Sequence, residues 1–240
     1  MRGPLAELRA FLDAALLVPV EGQHADPPEA RTRRRVIVAI TLVVGSAVLA
    51  RALRIAPGDP VFYVASIALA AVWGIGAVAS GPLHVGRGHT RSGEREARPI
   101  VQSLALGALL LLLFLVGALV VARIPSLREP VDELLDHARF GSTPVVLAIT
   151  MLNGVVEELY FRGALYAALP SHAVTITTVL YALTTVGSGV PLLVLAAAIL
   201  GLVTALQRRV TGGILGPIIT HVTWSTGMLL LLPPALELTR

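Results

Sequence analysis

Long runs of apolar residues recur along this chain, and each is about as long as a helix that crosses a membrane. A spanning helix needs about 20 mostly apolar residues, and within lipid only a helix or a closed barrel satisfies its own backbone hydrogen bonds. The runs lie at about 36–56, 61–83, 100–122, 143–168, 173–187, 191–207 and 212–232. The sequence therefore predicts an all-α fold, a polytopic transmembrane helical bundle of about seven spanning helices in residues 36–240.

The composition fits a membrane protein. The chain is 55% apolar and 14% charged, which leaves too little polar surface to cover a water-soluble globule. It contains no cysteine, so disulfides, thiolate metal sites and a cysteine nucleophile are excluded. All 19 basic residues are arginine, a composition typical of a GC-rich genome. The positive net charge does not indicate nucleic-acid binding, and the predicted surroundings are membrane lipid.

The helix count has one open alternative. The fifth and sixth runs are short, and only the segment 187–191, which contains two glycines and a proline, separates them. A re-entrant pair that enters and leaves the membrane on one side is therefore an alternative to two complete spans.

The distribution of arginine predicts the orientation. Basic segments at 31–35, 87–98 and 208–209 fall on one side when the helices are threaded in order, and the basic side is cytoplasmic. We therefore expect a multi-pass protein of the cell membrane with its N-terminus in the cytoplasm and its C-terminus outside. The loop at 123–142 balances acidic against basic residues, so we expect it outside, with a surface helix at 131–140.

Residues 1–35 form the predicted N-terminal cytoplasmic segment. Apolar residues of the stretch 5–18 fall along one helical stripe, which fits a short amphipathic helix on the membrane surface. An ordinary helix packed on the bundle is the alternative.

Four ionisable side chains lie inside the apolar runs of the second half: Glu157, Glu158, Arg162 and His221. A charge at the centre of a spanning helix costs about 2.5 to 3.5 kcal/mol on insertion scales, and such residues mark functional sites by default. The cluster therefore indicates a functional site within the membrane.

Helical geometry divides the cluster. Glu158 precedes Arg162 by four residues, the favourable order for an ion pair on one face. Glu157 points about 100° away and is left without that partner, so it is free to act as a general base. The alternative is structural: the ion pair holds two helices together and Glu157 hydrogen-bonds a backbone group.

A second helix carries the remaining candidates. His221 and Ser225 are four residues apart and share a face, and Pro217 is expected to bend the helix one turn earlier. Catalytic zinc requires three protein ligands, and only one spanning histidine is present, so no metal and no cofactor are predicted. A proton relay through Glu157 and His221 in a transporter is an alternative, but the chain shows no internal repeat.

These motifs resemble the CAAX prenyl protease and bacteriocin-processing family of intramembrane proteases, which includes the type II CAAX prenyl endopeptidases. The family's first motif, two glutamates followed by three residues and an arginine, is matched by the segment from Glu157 to Arg162. The third motif, a histidine and a small polar residue four later, is matched by His221 and Ser225, although asparagine is the commoner second member. The resemblance covers a core at about 143–232.

The second family motif, an aromatic residue followed four later by a histidine, is degenerate in this chain. The best alignment places Tyr181 on the aromatic residue and Thr185 on the histidine. One proton-handling group is therefore missing, and such a group is typically worth about 10² to 10⁴ in rate.

The resemblance implies a role for each matched residue. Glu157 would activate water, Glu158 and Arg162 would form the structural ion pair, and His221 with Ser225 would stabilise the oxyanion. The implied function is an intramembrane endopeptidase that cleaves a membrane-associated or lipid-anchored protein. The alternative is a catalytically lapsed member that acts as a membrane scaffold or immunity-type partner, because Thr185 replaces the histidine.

Overall fold

The computed structural model describes residues 3–21, 28–89 and 96–237. Within these residues the chain forms nine helices: α1 (Pro4–Leu12), α2 (Pro28–Ala52), α3 (Val61–Ser80), α4 (Ile100–Val121), α5 (Pro125–Arg139), α6 (Thr143–Ala168), α7 (Ala173–Thr185), α8 (Pro191–Thr211) and α9 (Leu215–Glu237). The predicted all-α polytopic bundle is thereby confirmed.

Six of the nine helices in the described part of the chain are long and apolar enough to cross a membrane: α2, α3, α4, α6, α8 and α9. The seventh predicted span is α7, which with its following 3₁₀ turn reaches only from Ala173 to Ser188. Gly189 then adopts a φ of 74°, which glycine tolerates best, and Pro191 starts α8. The count of about seven is therefore six long helices and one short one.

Two arginines of α2, one buried and one exposed, hold together one end of the bundle, here called the basic end, where α2 begins and α3, α6 and α8 finish. Arg34 is 1% exposed and donates to the Pro82 carbonyl, 2.9 Å away, just beyond α3. Arg35 donates to the Ala168 carbonyl at the end of α6, at 3.0 Å. Because the last carbonyls of a helix lack partners within the helix, Arg35 caps α6, whereas Arg34 joins α2 to the segment that follows α3.

An extended segment at 82–87 covers the turn between α8 and α9 at the basic end. Ile214 N–H donates to the His84 carbonyl and Leu215 N–H donates to the Val85 carbonyl, at 2.9 and 3.1 Å. A Cβ on Gly213 would lie 2.1 Å from the Val85 carbonyl carbon, so this approach requires glycine.

A small antiparallel pairing of Gly88–His89 with Glu96–Ala97 follows, which the all-α prediction did not include. Two predicted cytoplasmic arginines, Arg91 and Arg95, lie outside the described residues.

The N-terminal helix packs across the basic end. After α1 the chain continues as a π-helical turn, Asp13–Leu17, and Ala15 within it is completely buried. Arg209 donates to the Leu16 carbonyl at 3.2 Å, and Val20 N–H donates to the Val210 carbonyl at 2.9 Å. Contact with the bundle therefore holds this segment in place, and its location on the cytoplasmic membrane surface stays a prediction.

At the opposite end, α5 lies where the sequence predicts a surface helix and carries an ion-pair network. Arg139 and Arg128 contact Asp132 at 3.0 and 3.2 Å. Partial burial opposes ionisation, but the hydrogen bonds from both arginines hold the pKa of the Asp132 carboxyl below its usual value of 3.8. His137 Nε2 lies 2.8 Å from the Ile55 carbonyl, which ties α5 to the turn between α2 and α3.

An aromatic cluster between α2, α3 and α6 fixes the helix that carries the candidate site. Trp73 and Tyr160 are completely buried, and their ring centroids are 4.6 Å apart. The Tyr160 hydroxyl donates to the Val38 carbonyl at 2.6 Å. Gly45 lets α2 approach, since a Cβ there would lie 2.3 Å from the Trp73 ring. This packing determines how the following turn of α6 faces the bundle interior.

Candidate active site

The backbone of α6 changes from an α-helix to a π-helix directly after the two glutamates. Residues Thr143–Glu158 are α-helical, Leu159–Leu165 are π-helical, and the last turn ends at Ala168. π-helical turns are rare and often occur at functional sites, because they alter how side chains project from the helix. Arg162 lies within the π-helical segment and points into the protein.

Glu158 and Arg162 form a completely buried ion pair. Arg162 Nη1 lies 3.0 Å from Glu158 Oε1, and both side chains are 0% exposed. Arg162 Nη2 also donates to the Gly201 carbonyl of α8 at 3.0 Å. The Arg162 guanidinium carbon lies 4.7 Å from the centroid of the Tyr181 ring, a cation–π distance. One arginine thus joins α6, α7 and α8.

His221 contacts the same carboxylate, which sequence reasoning did not anticipate. Its Nδ1 lies 2.8 Å from Glu158 Oε1. Because an ionised carboxylate only accepts hydrogen bonds, Nδ1 carries the hydrogen and Nε2 is left for another partner. Glu158 therefore orients His221 as well as pairing with Arg162, and it connects α6 to α9.

Glu157 has a different environment from its neighbour. Its side chain is partly exposed, whereas Glu158 is completely buried. Arg162 pairs with Glu158 and not with Glu157, but Glu157 has a neutral partner, because the Tyr181 hydroxyl donates to Glu157 Oε2 at 2.7 Å. The sequence carried one signal of this contact, a tyrosine at the aromatic position of the degenerate motif.

His221 and Ser225 face α6 together at Gly154. A Cβ on Gly154 would lie 3.6 Å from His221 Cδ2 and 3.7 Å from Ser225 Oγ. Ser225 itself donates only a long hydrogen bond, 3.4 Å, to the Val222 carbonyl of its own helix. Pro217 lies in the first turn of α9, where a missing N–H has no helical partner to lose, so it begins this helix and does not interrupt it.

Thr185 lies one turn after Tyr181 on α7 and offers no group to the cluster. Its side chain is buried, and its hydroxyl donates to the Ala182 carbonyl of the same helix at 2.8 Å. Over residues 3–21, 28–89 and 96–237 no cluster of three or more histidine, aspartate and glutamate side chains is placed to hold a metal ion.

An apolar groove of about 630 Å³ runs from the end of the bundle at α5 to Ser225. Side chains of α4, α5, α6, α8 and α9 line it, among them Phe114, Val146 and Ile199. Trp224 and Ser225 line it as well, and the Trp224 ring centroid is 6.3 Å from that of His221. Ser225 therefore lies between the polar cluster and this groove.

Residues 139–227 match the family model described as Rce1-like: Type II CAAX prenyl endopeptidase Rce1-like. This segment is Rce1-like. It runs from the last residue of α5 into α9 and contains all seven predicted site residues, so the resemblance read from the motifs is confirmed. The Rce1-like family is a family of membrane proteases. The chain has no match among curated proteins or solved structures.

Proposed function

We propose that this protein is an intramembrane endopeptidase of the CAAX-protease type, with Glu157 as the general base. The observation that carries the proposal is the difference between the two adjacent carboxylates. Glu158 is buried and bound to Arg162 and His221, whereas Glu157 is partly exposed and keeps one oxygen, Oε1, without a hydrogen-bond partner among the described residues. That oxygen is available to a water molecule.

In the proposed reaction Glu157 takes a proton from water, and the resulting hydroxide attacks the carbonyl carbon of the scissile peptide bond. The carbonyl oxygen becomes an oxyanion in the tetrahedral intermediate. Glu157 then gives the proton to the leaving amine, and the C–N bond breaks. The two products are a carboxylate and an amine.

His221 and Ser225 stabilise the oxyanion in this proposal. With Nδ1–H directed at Glu158, His221 can donate through Nε2 only as imidazolium. Ser225 adds a hydroxyl on the same helix face. Both donors lie on α9, across from the helix that carries the base.

The apolar groove supports a membrane-associated or lipid-anchored protein as the substrate. Its walls are built almost entirely from aliphatic and aromatic side chains, and it meets the cluster at Ser225. A hydrophobic segment or a lipid anchor can occupy such a surface while the adjoining peptide bond lies near Glu157. The location in the cell membrane and the predicted orientation of the termini are part of the same proposal.

A second candidate function is that of a lapsed family member that binds membrane proteins without cleaving them. Thr185 is the observation that favours it, because its hydroxyl is bonded within α7 and cannot replace a histidine that handles protons. Introducing that histidine separates the two candidates. If the wild type is inactive and Thr185→His cleaves, the protein is a lapsed protease.

The experiment is a cleavage assay with purified full-length protein in liposomes. Two peptides serve as probes, one farnesylated at a cysteine three residues from its C-terminus and one unmodified, and mass spectrometry identifies the products. We expect the wild type to cleave and Glu157→Gln to reduce the rate by about 10² to 10⁴. Glu129→Gln, on the exposed surface of α5, is the matched control and should cleave at the wild-type rate.

Two results would contradict the proposal. Cleavage that survives Glu157→Gln removes the general base from the mechanism. If the wild type cleaves neither peptide and Thr185→His does cleave, the protein is a lapsed family member and the proposal is wrong.

A further inference from the structure

The Tyr181 hydroxyl is the one described group that hydrogen-bonds the proposed base, and a phenylalanine at this position would lack it. The O–H donates to Glu157 Oε2 at 2.7 Å, a distance typical of a strong hydrogen bond to an ionised carboxylate. The contact joins α6 to α7 across 24 residues of sequence. The motif resemblance marked Tyr181 only as an aromatic residue and did not predict this hydrogen bond.

The Tyr181 ring is held on several sides, so its hydroxyl has a fixed position. The ring makes an edge contact with Phe161 at a centroid distance of 4.8 Å, and the Arg162 guanidinium lies 4.7 Å from its centroid. A Cβ on Gly201 would lie 3.1 Å from Tyr181 Cδ1, so α8 passes close to the ring. The residue is only 7% exposed.

We propose that Tyr181 is a positioning residue that fixes the Glu157 carboxylate so that its second oxygen faces the catalytic water. This inference rests on the proposed function and gives Tyr181 a role that the motif resemblance did not assign to it. A glutamate side chain has three rotatable torsions and several rotamers of similar energy. One short hydrogen bond from an immobile phenol selects among them.

The phenol partly compensates for the substitution at Thr185. Tyr181 and Thr185 lie one turn apart on α7. The family pattern has a histidine at the position of Thr185, but the Thr185 hydroxyl hydrogen-bonds a backbone carbonyl of its own helix. Tyr181 supplies a donor to the carboxylate from the preceding turn. Because the hydroxyl binds Glu157 and not the reacting atoms, Tyr181 acts through the base and takes no proton from water.

The test replaces one hydroxyl and leaves the ring. Tyr181→Phe should lower kcat in the liposome assay by about 10- to 100-fold, the effect expected for one hydrogen bond to a charged group, with KM nearly unchanged. The acidic limb of its pH–rate profile should move to higher pH, because the ionised base loses a donor. Tyr160→Phe is the matched control: it removes a buried hydroxyl from the same aromatic cluster but one that donates to Val38. It should keep the wild-type profile.

A second readout does not require proteolysis. An apolar carbodiimide reacts with protonated carboxyl groups, and mass spectrometry of the fragments separates labelling at Glu157 from labelling at Glu158. Tyr181→Phe should extend labelling of Glu157 to higher pH, and Tyr160→Phe should not. If Tyr181→Phe does not fold, Gly201→Ala displaces the ring, keeps the hydroxyl and should shift labelling in the same direction.

The outcomes separate the two proposals. If the wild type cleaves neither peptide but labelling shifts in Tyr181→Phe, the proposed function fails and the catalytic role of Tyr181 fails with it, while its hydrogen bond to Glu157 is supported. If Glu157→Gln abolishes cleavage while Tyr181→Phe matches Tyr160→Phe in rate and labelling, the positioning role is overturned and the proposed function stands.

Discussion

The buried ion pair predicts a large and specific loss of stability when it is broken. Arg162→Met keeps most of the side-chain volume but removes the charge that lies 3.0 Å from Glu158. At this distance Coulomb's law gives about 5 kcal/mol between unit charges for an effective dielectric constant of about 20. Loss of solvation opposes that attraction, yet removing one partner of a buried pair costs about 3 to 5 kcal/mol because the other charge loses its counter-charge. Here Glu158 would keep only the hydrogen bond from His221. We expect a loss in that range.

A double variant measures how much the two charges stabilise each other. Glu158→Gln with Arg162→Met removes both charges, so its cost should fall below the sum of the single costs by about 0.5 to 3 kcal/mol. Unfolding in mixed micelles, followed by far-ultraviolet circular dichroism, measures each free energy of unfolding. Arg51→Met, at the exposed end of α2, is the control and should change stability by less than about 0.5 kcal/mol.

Two results would refute this reasoning. The first is a cost for Arg162→Met no larger than that for Arg51→Met. The second is strict additivity of the two single substitutions, which would mean that Glu158 and Arg162 do not stabilise each other.

Three further predictions follow from the packing and the surface charges. Gly45→Val should lower the free energy of unfolding by about 1 to 3 kcal/mol, because the new side chain collides with Trp73. Gly117→Ala in α4 is the control and should be neutral or stabilising, because a Cβ there meets nothing within 4 Å. Equal midpoints of thermal unfolding for the two variants would contradict this prediction. Gly213→Ala should open the segment at 82–87 and speed amide exchange at Leu215, and unchanged exchange would count against the backbone contact. Asp132→Asn should cost at most about 1 kcal/mol at pH 7. Because folding lowers the pKa of Asp132, its contribution is present above pH 3.8 and is lost as the pH falls through the folded pKa, so wild type and variant should converge in acid.

The helical bundle could be predicted from the sequence because the hydropathy and length of a spanning helix depend only on consecutive residues. Five of the six long helices lie within a few residues of the predicted runs, while α2 begins eight residues before its run, inside the predicted N-terminal segment 1–35. The i to i+4 spacing correctly brought Arg162 to Glu158. Contacts between distant helices were not accessible in the same way. His221 meets Glu158 across 63 residues and Tyr181 meets Glu157 across 24, and no local pattern encodes which face of one helix packs on another.

The π-helical segment in α6 was also beyond sequence reasoning. Tyr160, which packs on Trp73, lies within it, and helical periodicity cannot reveal such a segment because it assumes one constant rotation for each residue. The segment at 82–87 was missed for a related reason, since its hydrogen bonds to the α8–α9 turn join stretches more than 120 residues apart and leave no periodic signal.

The arginine contacts at the basic end have a consequence for the biogenesis of the protein. A translocon sorts loops by positive charge and treats lysine and arginine alike, whereas the contacts of Arg34 and Arg35 depend on the reach and geometry of a guanidinium. When α2 enters the bilayer, the carbonyls that these arginines will bind have not yet been synthesised. A chain with lysine at positions 34 and 35 would therefore insert with the same topology but would not join its helices at that end. The same few residues thus act first in membrane insertion, through their charge, and later in tertiary assembly, through their hydrogen bonds.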